Sequence, residues 1–563
     1  MPGQTVTELE RRYGRSAEKV LDRLRRAKAA GGRIAAEDVD RVAAETDLPR
    51  AHVNGAASFY ADLGFDQRGD RHVCVCDGTA CFAASCGKHV EATAAELGAP
   101  TGGCSEDGEV SLQPVYCLGY CYGGPSALDG EAPRAGPDLV EQLAGRAEPS
   151  DPEVPFRSAC SEPIVLAGLS GSGPEPWEAW GRALAAGPGR IRAEVLESGL
   201  RGRGGAGFPV GRKWQATAAA RASGPRYVIC NGDEGDPGSY VDRLLMESDP
   251  QRLLAGMAVA GLATGAEQGY VYVRSEYPRA RERLRRAVEE ARAEGNLGSD
   301  LRNSGIGFDV EVFEGAGSYV AGEETSLMHS VEGLRGEVAV RPPFPTERGL
   351  FHQPSLVNNV ETLCAIPWIV ARSGAAYAAL GAGESRGTKV VCLNERFRNP
   401  GAYEVELGVT LRWIVEELGG GLVEGRSLRS LQVGGPLGGF LAPEQLDTPL
   451  AFDSLREAGV DLGHGSLVAL DDSVSGPELL RHVWGFAASE SCGTCVPCRI
   501  GSRRGRDAAE DLLSGRPPDP AAYGSLLETM GRGSLCAFGR GVPQAVTTLA
   551  RTYPDELGPI ARL

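Results

Sequence analysis

Gly199 to Trp214 reads GLRGRGGAGFPVGRKW, a glycine-rich loop that carries Arg201, Arg203 and Arg212 and ends in Lys213-Trp214. Glycines let backbone N–H groups approach a phosphate and cations offset its charge, so the loop is expected to seat a cofactor phosphate, that of a flavin first. Gly202, Gly204 and Gly207 formally match G-x-G-x-x-G. That fingerprint should follow a strand, whereas here it follows the helical segment IRAEVLESG, so an ordinary Rossmann site is not expected.

Three further segments have the same mixture of glycine and polar groups. RYVICNGDEGDPGS (226–239) runs an apolar strand into Asn231, Asp233, Glu234 and Asp236, acceptors at the carboxyl end of a strand, where α/β sheets bind ligands. FEGAGSYVAGEETSLMHSVEG (313–333) is a second glycine loop, leading into a helix that starts at Glu323 and Glu324. After the rigid aromatic turn PPFP (342–345), LVNNVETL (356–363) supplies Asn358, Asn359 and Thr362. Four such segments in one α/β lobe predict a cofactor pocket assembled from several loops.

The cysteines predict metal chemistry on either side of that lobe. Cys76-x4-Cys81 and Cys117-x3-Cys121 lie in a small lobe of alternating strand and helix, and can supply four thiolates to a [2Fe-2S] cluster or a zinc ion. Cys81 and Cys86 form a second C-x4-C pair, and Cys74 precedes Cys76 by two residues, so the ligand set stays open at these positions. Near the C-terminus, Cys492-x2-Cys495-x2-Cys498 and a remote Cys536 predict a [4Fe-4S] cubane, with zinc as the alternative. Cys364 and Cys392 sit in apolar runs and read as buried thiols.

At 563 residues, 42% of them hydrophobic and 24% charged, the chain should fold as several lobes with separate cores. A net charge of −17 without a broad basic face argues against a nucleic-acid partner. No apolar run is long enough to span a membrane, and the N-terminus lacks a signal-peptide core, so a cytoplasmic location is expected. Fifteen cysteines in that reducing compartment read as ligands and buried thiols, not disulfides. The expected division is a helical lobe (1–64), the [2Fe-2S] lobe (65–146), a Pro-rich linker (147–158), the cofactor lobe (159–380), a β-grasp-like lobe without visible chemistry (381–465) and a helical [4Fe-4S] lobe (466–563).

With GLRGRGGAGFP, NGDEG-PG, GAG-Y--GEE, PPFP, NNVETL and ESCG-C-PCR in hand, residues 159–563 resemble the NADH-oxidising flavin subunit of respiratory complex I. Residues 1–146 resemble the small [2Fe-2S] subunit of the same complex, as if the two were fused. The resemblance implies a multidomain α/β protein: a thioredoxin-like ferredoxin lobe, an FMN- and NAD(H)-binding domain, a β-grasp domain and a helical [4Fe-4S] domain. It places FMN contacts on Gly202, Gly204, Lys213, Asn231, Asp233, Tyr319, Gly322, Glu323, Asn358, Asn359 and Thr362, with Glu324 and Asp236 also on the cofactor side. Phe208 and Phe344 would stack the nicotinamide nucleotide. No catalytic acid or base is implied, since hydride transfer rests on positioning; Glu234 is carried as a contributor.

The chain departs from the family pattern at Asp236, where Glu is usual, at Arg341, where Lys is usual, at Ala321, and in the aromatic missing after Trp214. Fusion of the two modules implies first the β subunit of an NAD-dependent molybdenum or tungsten formate dehydrogenase, whose α subunit would be the partner, and the end soon after Cys536 argues against the electron-bifurcating hydrogenase subunits. The diaphorase subunit of a bidirectional NAD-reducing nickel-iron hydrogenase comes second, and a complex I protein with the two modules joined comes third. A flavin-free iron-sulfur relay or sensor is the alternative of a different class.

Overall fold

The computed structural model describes residues 20–562. The first nineteen residues of the expected helical lobe lie outside the described residues. From Val20 on, the helices Val20–Gly31, Ala36–Thr46 and Arg50–Ala57 bury Leu21, Leu24, Val39, Val42 and Val53 against one another. These apolar positions recur every three or four residues, which puts them on one helical face. Ala316 of the next-but-one lobe joins that cluster, so the helices are docked on the rest of the molecule.

The ferredoxin lobe is a five-stranded mixed sheet. Its central strand, Arg71–Cys76, pairs parallel with Val110–Val115 and antiparallel with Ser126–Asp129. Val73 and Val75 alternate into the core beside Leu112 and Ala127, and this period of two fixes which face is buried. Both long strands end at a cysteine pair: Cys76 closes the first, and Cys117 follows the second by two residues.

The cofactor lobe holds four parallel strands in the order Ser355–Asn359, Tyr227–Gly232, Gln268–Val273, Asp309–Glu314. A parallel sheet is covered on both faces, which is why strands such as GYVYV are apolar throughout and the Pro250–Thr264 helix is buried from Arg252 to Thr264. Parallel order brings the carboxyl ends, Asn359, Gly232, Val273 and Glu314, to one edge.

The third sheet departs from the expected boundaries. Its six strands run Gly439–Leu441, Leu428–Val433, Ser466–Asp471, Thr388–Leu393, Gly401–Glu406, Phe156–Ser158. The last of these comes from the segment expected as linker, paired parallel with Gly401–Glu406, and Ser466–Asp471 comes from the segment assigned to the final lobe. A three-residue edge strand beside prolines leaves no periodic signal. SLVALD, buried at every position, is an apolar run that periodicity cannot tell from a helix segment.

In the C-terminal lobe the helices Gly476–Glu490, Val496–Leu513, Pro520–Gly533 and Ala537–Thr552 pack in a ring, each against the next and the last against the first. Among the described residues no helix is long and apolar enough to cross a membrane.

Candidate flavin and iron-sulfur sites

The opening loop folds back on itself. Gly202 N donates to Phe208 O at 2.9 Å, and Arg201 Nε donates to Gly207 O at 2.7 Å while its guanidinium lies 4.1 Å over the Phe452 ring. Arg203 is buried and donates from Nη2 to Tyr377 Oη (3.0 Å) and Arg386 O (2.6 Å). Arg201 and Arg203 thus anchor the loop, and Arg203 Nη1 is left buried and unpartnered. Arg203 N donates to Thr362 Oγ1 at 2.9 Å, and a Cβ added at Gly204 would stand 2.9 Å from Asn359 Cβ. Any larger residue there would push the loop off the NNVET segment.

The other expected residues line the same strand edge. Asn231 Nδ2 donates to Gly322 O (2.7 Å), which pins the strand end to the second glycine loop. Glu323 caps the Glu324–Val331 helix through Thr325 N (2.9 Å) and Ser326 N (3.2 Å). Lys213 Nζ bonds Glu324 (2.7 Å) and Val357 O (2.9 Å), and Arg341 Nη1 reaches Glu324 at 2.6 Å. Burial alone would raise the Glu324 pKa, but these two cations hold it below the usual range. Asn358 accepts from Trp214 Nε1 (2.9 Å), and Asn359 caps the Val360–Arg372 helix at Thr362 N (3.2 Å). Tyr319 Oη donates to Asp236 at 2.5 Å.

The acidic residues of NGDEGD divide into distinct tasks. Asp233 keeps one buried oxygen without a protein partner, and burial lifts its pKa well above the usual carboxylate range. Glu234, carried as a contributor to hydride transfer, is instead fully buried and turned inward. Its oxygens accept from Asp242 N (3.0 Å) and Arg243 N (2.9 Å) at the start of the Val241–Ser248 helix. Phe208 and Phe344 are 54% and 51% exposed, which leaves both rings free to stack. Unpaired buried polar atoms at Asp233 and Arg203, the close approach at Gly204 and two exposed aromatics fit a bound flavin with a nicotinamide nucleotide.

Cys76, Cys81, Cys117 and Cys121 are buried and converge. Cys117 and Cys121 Sγ lie 3.6 Å apart, and Cys81 donating to Cys76 holds that thiol down to about 7 despite its burial. Cys74 faces His72 (3.4 Å), with burial pushing its thiol up to about 12, and Cys86 faces Ser473 (3.6 Å), so neither joins the four. Cys117 Sγ also lies 3.5 Å from Ser239 O, which sets this site directly against the flavin loop.

In the last lobe Cys495 and Cys536 stand at the N-caps of the Val496–Leu513 and Ala537–Thr552 helices. The positive ends of two helix dipoles thus face the four-cysteine site, which suits an anionic cluster. Burial pushes the Cys498 thiol up to about 11, offset in part by Ser491 Oγ at 3.3 Å. Arg499 donates to Gly493 O (2.7 Å), so its charge sits at the cysteine loop.

Three rings that sequence reasoning missed, Tyr116, Phe486 and Phe538, join with Tyr319 to connect the three sites. Phe486 is 5.0 Å from Tyr116, the residue before Cys117, and 5.0 Å from Tyr319 of the second glycine loop. Phe538, two residues after Cys536, is 5.6 Å from Tyr319 and 6.0 Å from Phe486. His464, from the lobe in which the sequence shows no chemistry, was missed as well: it bonds Asp242 at 2.7 Å beside the flavin loop. A histidine between two glycines, LGHGS, was its one signal.

Residues 195–368 match the model of the Nuo51 FMN-binding domain, 6–132 that of the thioredoxin-like [2Fe-2S] ferredoxin, and 478–559 that of the NADH-ubiquinone oxidoreductase-F iron-sulfur binding region. The mitochondrial 51 kDa subunit of NADH-ubiquinone oxidoreductase from Neurospora crassa is 36% identical over 398 residues, 68% of this chain and 79% of that protein. The NADP-reducing hydrogenase subunit HndC of Solidesulfovibrio fructosivorans is 38% identical over 382 residues, 68% of this chain and 78% of its own length. A chain from the crystal structure of NAD+-reducing [NiFe]-hydrogenase in the H2-reduced state superposes over 97% of this chain and 92% of its own, with a TM-score of 0.85 and 29% identity. The cofactor set is accordingly FMN, NAD(H), a [2Fe-2S] and a [4Fe-4S] cluster. The chain belongs to the family of the 51 kDa subunit of NADH-ubiquinone oxidoreductase and is an NAD(P)H dehydrogenase subunit of an oxidoreductase complex.

Proposed function

We propose that this chain is the diaphorase subunit of an NAD-linked complex, exchanging a hydride with NAD(H) at the Gly202–Phe208 edge and single electrons with a partner protein through its iron-sulfur sites. The observation that supports this reading is the four-ring cluster of Tyr116, Tyr319, Phe486 and Phe538, which joins Tyr319 of the second glycine loop to the residue before Cys117 and to the residue two after Cys536. Bound FMN supplies the exchange between a two-electron hydride and single electrons.

The protein's share is binding and orientation. Gly202, Gly204, Asn231, Asp233, Gly322, Asn358, Asn359 and Thr362 would hold the flavin, with Lys213 and Glu323 on its polar side. Phe208 and Phe344 would clamp the nicotinamide nucleotide, with Glu324 and Asp236 at its hydroxyl groups. Cys76, Cys81, Cys117 and Cys121 would hold the [2Fe-2S] cluster, and Cys492, Cys495, Cys498 and Cys536 the [4Fe-4S] cluster. Of the four rings, Phe486 and Phe538 are buried, which keeps water from the path between Tyr319 and the helix that Cys536 begins. The purified chain is expected to release FMN on denaturation and to reduce a dye with NADH; no flavin in the released fraction would sink the reading.

The sequence resemblance favours a molybdenum or tungsten formate dehydrogenase α subunit as partner. Likeness over 97% of the chain to a subunit of a nickel-iron hydrogenase favours the second reading, a hydrogenase partner. Affinity purification with metal analysis separates them: nickel in the complex supports the hydrogenase reading, molybdenum or tungsten the formate dehydrogenase one.

A further inference from the structure

His464 stands in the turn between Leu462 and Ser466, flanked by Gly463 (φ 53°) and Gly465 (φ 85°). That turn lies on the opening loop, for a Cβ on Gly205 would be 3.8 Å from Gly463 Cα. The imidazole is 7% exposed. Its Nε2 lies 2.7 Å from Asp242 Oδ2, and the same oxygen accepts from Asn359 Nδ2 at 2.6 Å. On the other side, Nδ1 is 4.0 Å from Asp236 Oδ2, while Tyr319 holds the second Asp236 oxygen. One ring from the β-grasp sheet therefore stands between the NNVET segment, the Asp236 loop and the glycine loop.

The charges around it come from four elements. Glu234 and Asp236 face it from the strand-end loop and Asp242 from the Val241–Ser248 helix; behind Gly465, Lys389 and Glu361 pair with each other. Burial would favour the neutral ring, but the three carboxyls, Asp242 foremost, lift its pKa to about 9. Glu234, Asp242 and His464 place ligand atoms within 4.8 Å of one another, as a metal site would. Both Glu234 oxygens are taken by backbone N–H groups, however, and Asp242 already accepts from His464, Asn359 and Glu361 N, so the cluster is an ion-paired brace.

We propose that His464 is a positioning residue which, through Asp242 and Asp236, holds Asn359 and the Asp236 loop in register beneath the glycine loop, so that flavin affinity depends on a side chain of the β-grasp domain. The inference rests on the flavin reading of the pocket. It is tested on the full chain by titrating flavin-depleted protein with FMN and following fluorescence quenching, with the iron-sulfur EPR signals as a check on folding.

His464→Leu is expected to raise the FMN Kd at least about tenfold at pH 7, a factor worth about 1.4 kcal/mol. His464→Gln, which keeps a donor toward Asp242, should recover part of that loss. A raised histidine pKa places the stabilising charge below the folded value and removes it above. Wild-type affinity should thus fall as pH rises through about 9, and the Gln variant should not follow that fall. A wild-type Kd in the Leu variant, or the wild-type pH profile in the Gln variant, overturns the inference. Absence of FMN binding in the wild type overturns the flavin reading together with it.

Discussion

At the scale of single residues, the cofactor edge is built from side chains that look alike in sequence and act differently. Asp233, Glu234 and Asp236 are three carboxyls within four positions. One keeps a buried oxygen unpaired, one caps a helix, and one is held by Tyr319. Their presence at a strand end was legible; their tasks were not, because these depend on Tyr319 and on backbone that the local sequence does not place. The glycine loop shows the same division: its glycines predicted a close approach, and Gly204 makes one with Asn359, but Arg201 and Arg203 turn to Phe452, Tyr377 and Arg386. Gly204→Ala should therefore weaken FMN binding, since a contact of 2.9 Å must be relieved, at a cost of about 1–3 kcal/mol or roughly tenfold or more in Kd. Flavin titration measures this, with iron content unchanged as the control.

At the scale of elements, ligand spacing carries far in sequence because it is local. C-x2-C-x2-C groups three candidate ligands of one site, and the structure adds that Cys495 and Cys536 each stand at the start of a helix, of 18 and 16 residues. Cys536→Ser should remove the [4Fe-4S] EPR signal and its share of the iron while leaving the [2Fe-2S] signal, as the two cysteine sets sit in separate lobes. The short strands were the opposite case. Phe156–Ser158 and Ser466–Asp471 were assigned elsewhere because one is too short to alternate and the other too buried to do so. Glu404 secures the chain that follows Phe156–Ser158: its carboxylate accepts from Ile164 N (3.1 Å), Val165 N (2.9 Å) and Leu166 N (3.1 Å). No spacing rule connects residues so far apart in sequence.

At the scale of the whole molecule, lobes that sequence separates are joined by buried polar contacts. Lys389 of the third sheet pairs with Glu361 of the flavin domain, both fully buried, and Val390 N donates to the same carboxylate at 2.9 Å. Lys389→Met would leave Glu361 without its countercharge and should cost about 3–5 kcal/mol in a urea unfolding measurement; replacing Glu361 by Leu as well should recover much of it. The passage out of the ferredoxin lobe is bound in the same manner. Ala135 N donates to Ser150 O (2.9 Å), Tyr122 Oη to Pro152 O (2.7 Å) and Ala402 N to Pro155 O (2.8 Å), after which Phe156–Ser158 enters the third sheet. A connection woven into a sheet gives its cargo no arc to travel. The ferredoxin lobe is then soldered wiring, not a swinging arm, and NADH-driven reduction of its cluster should proceed at a rate that thickening the solvent with glycerol does not slow.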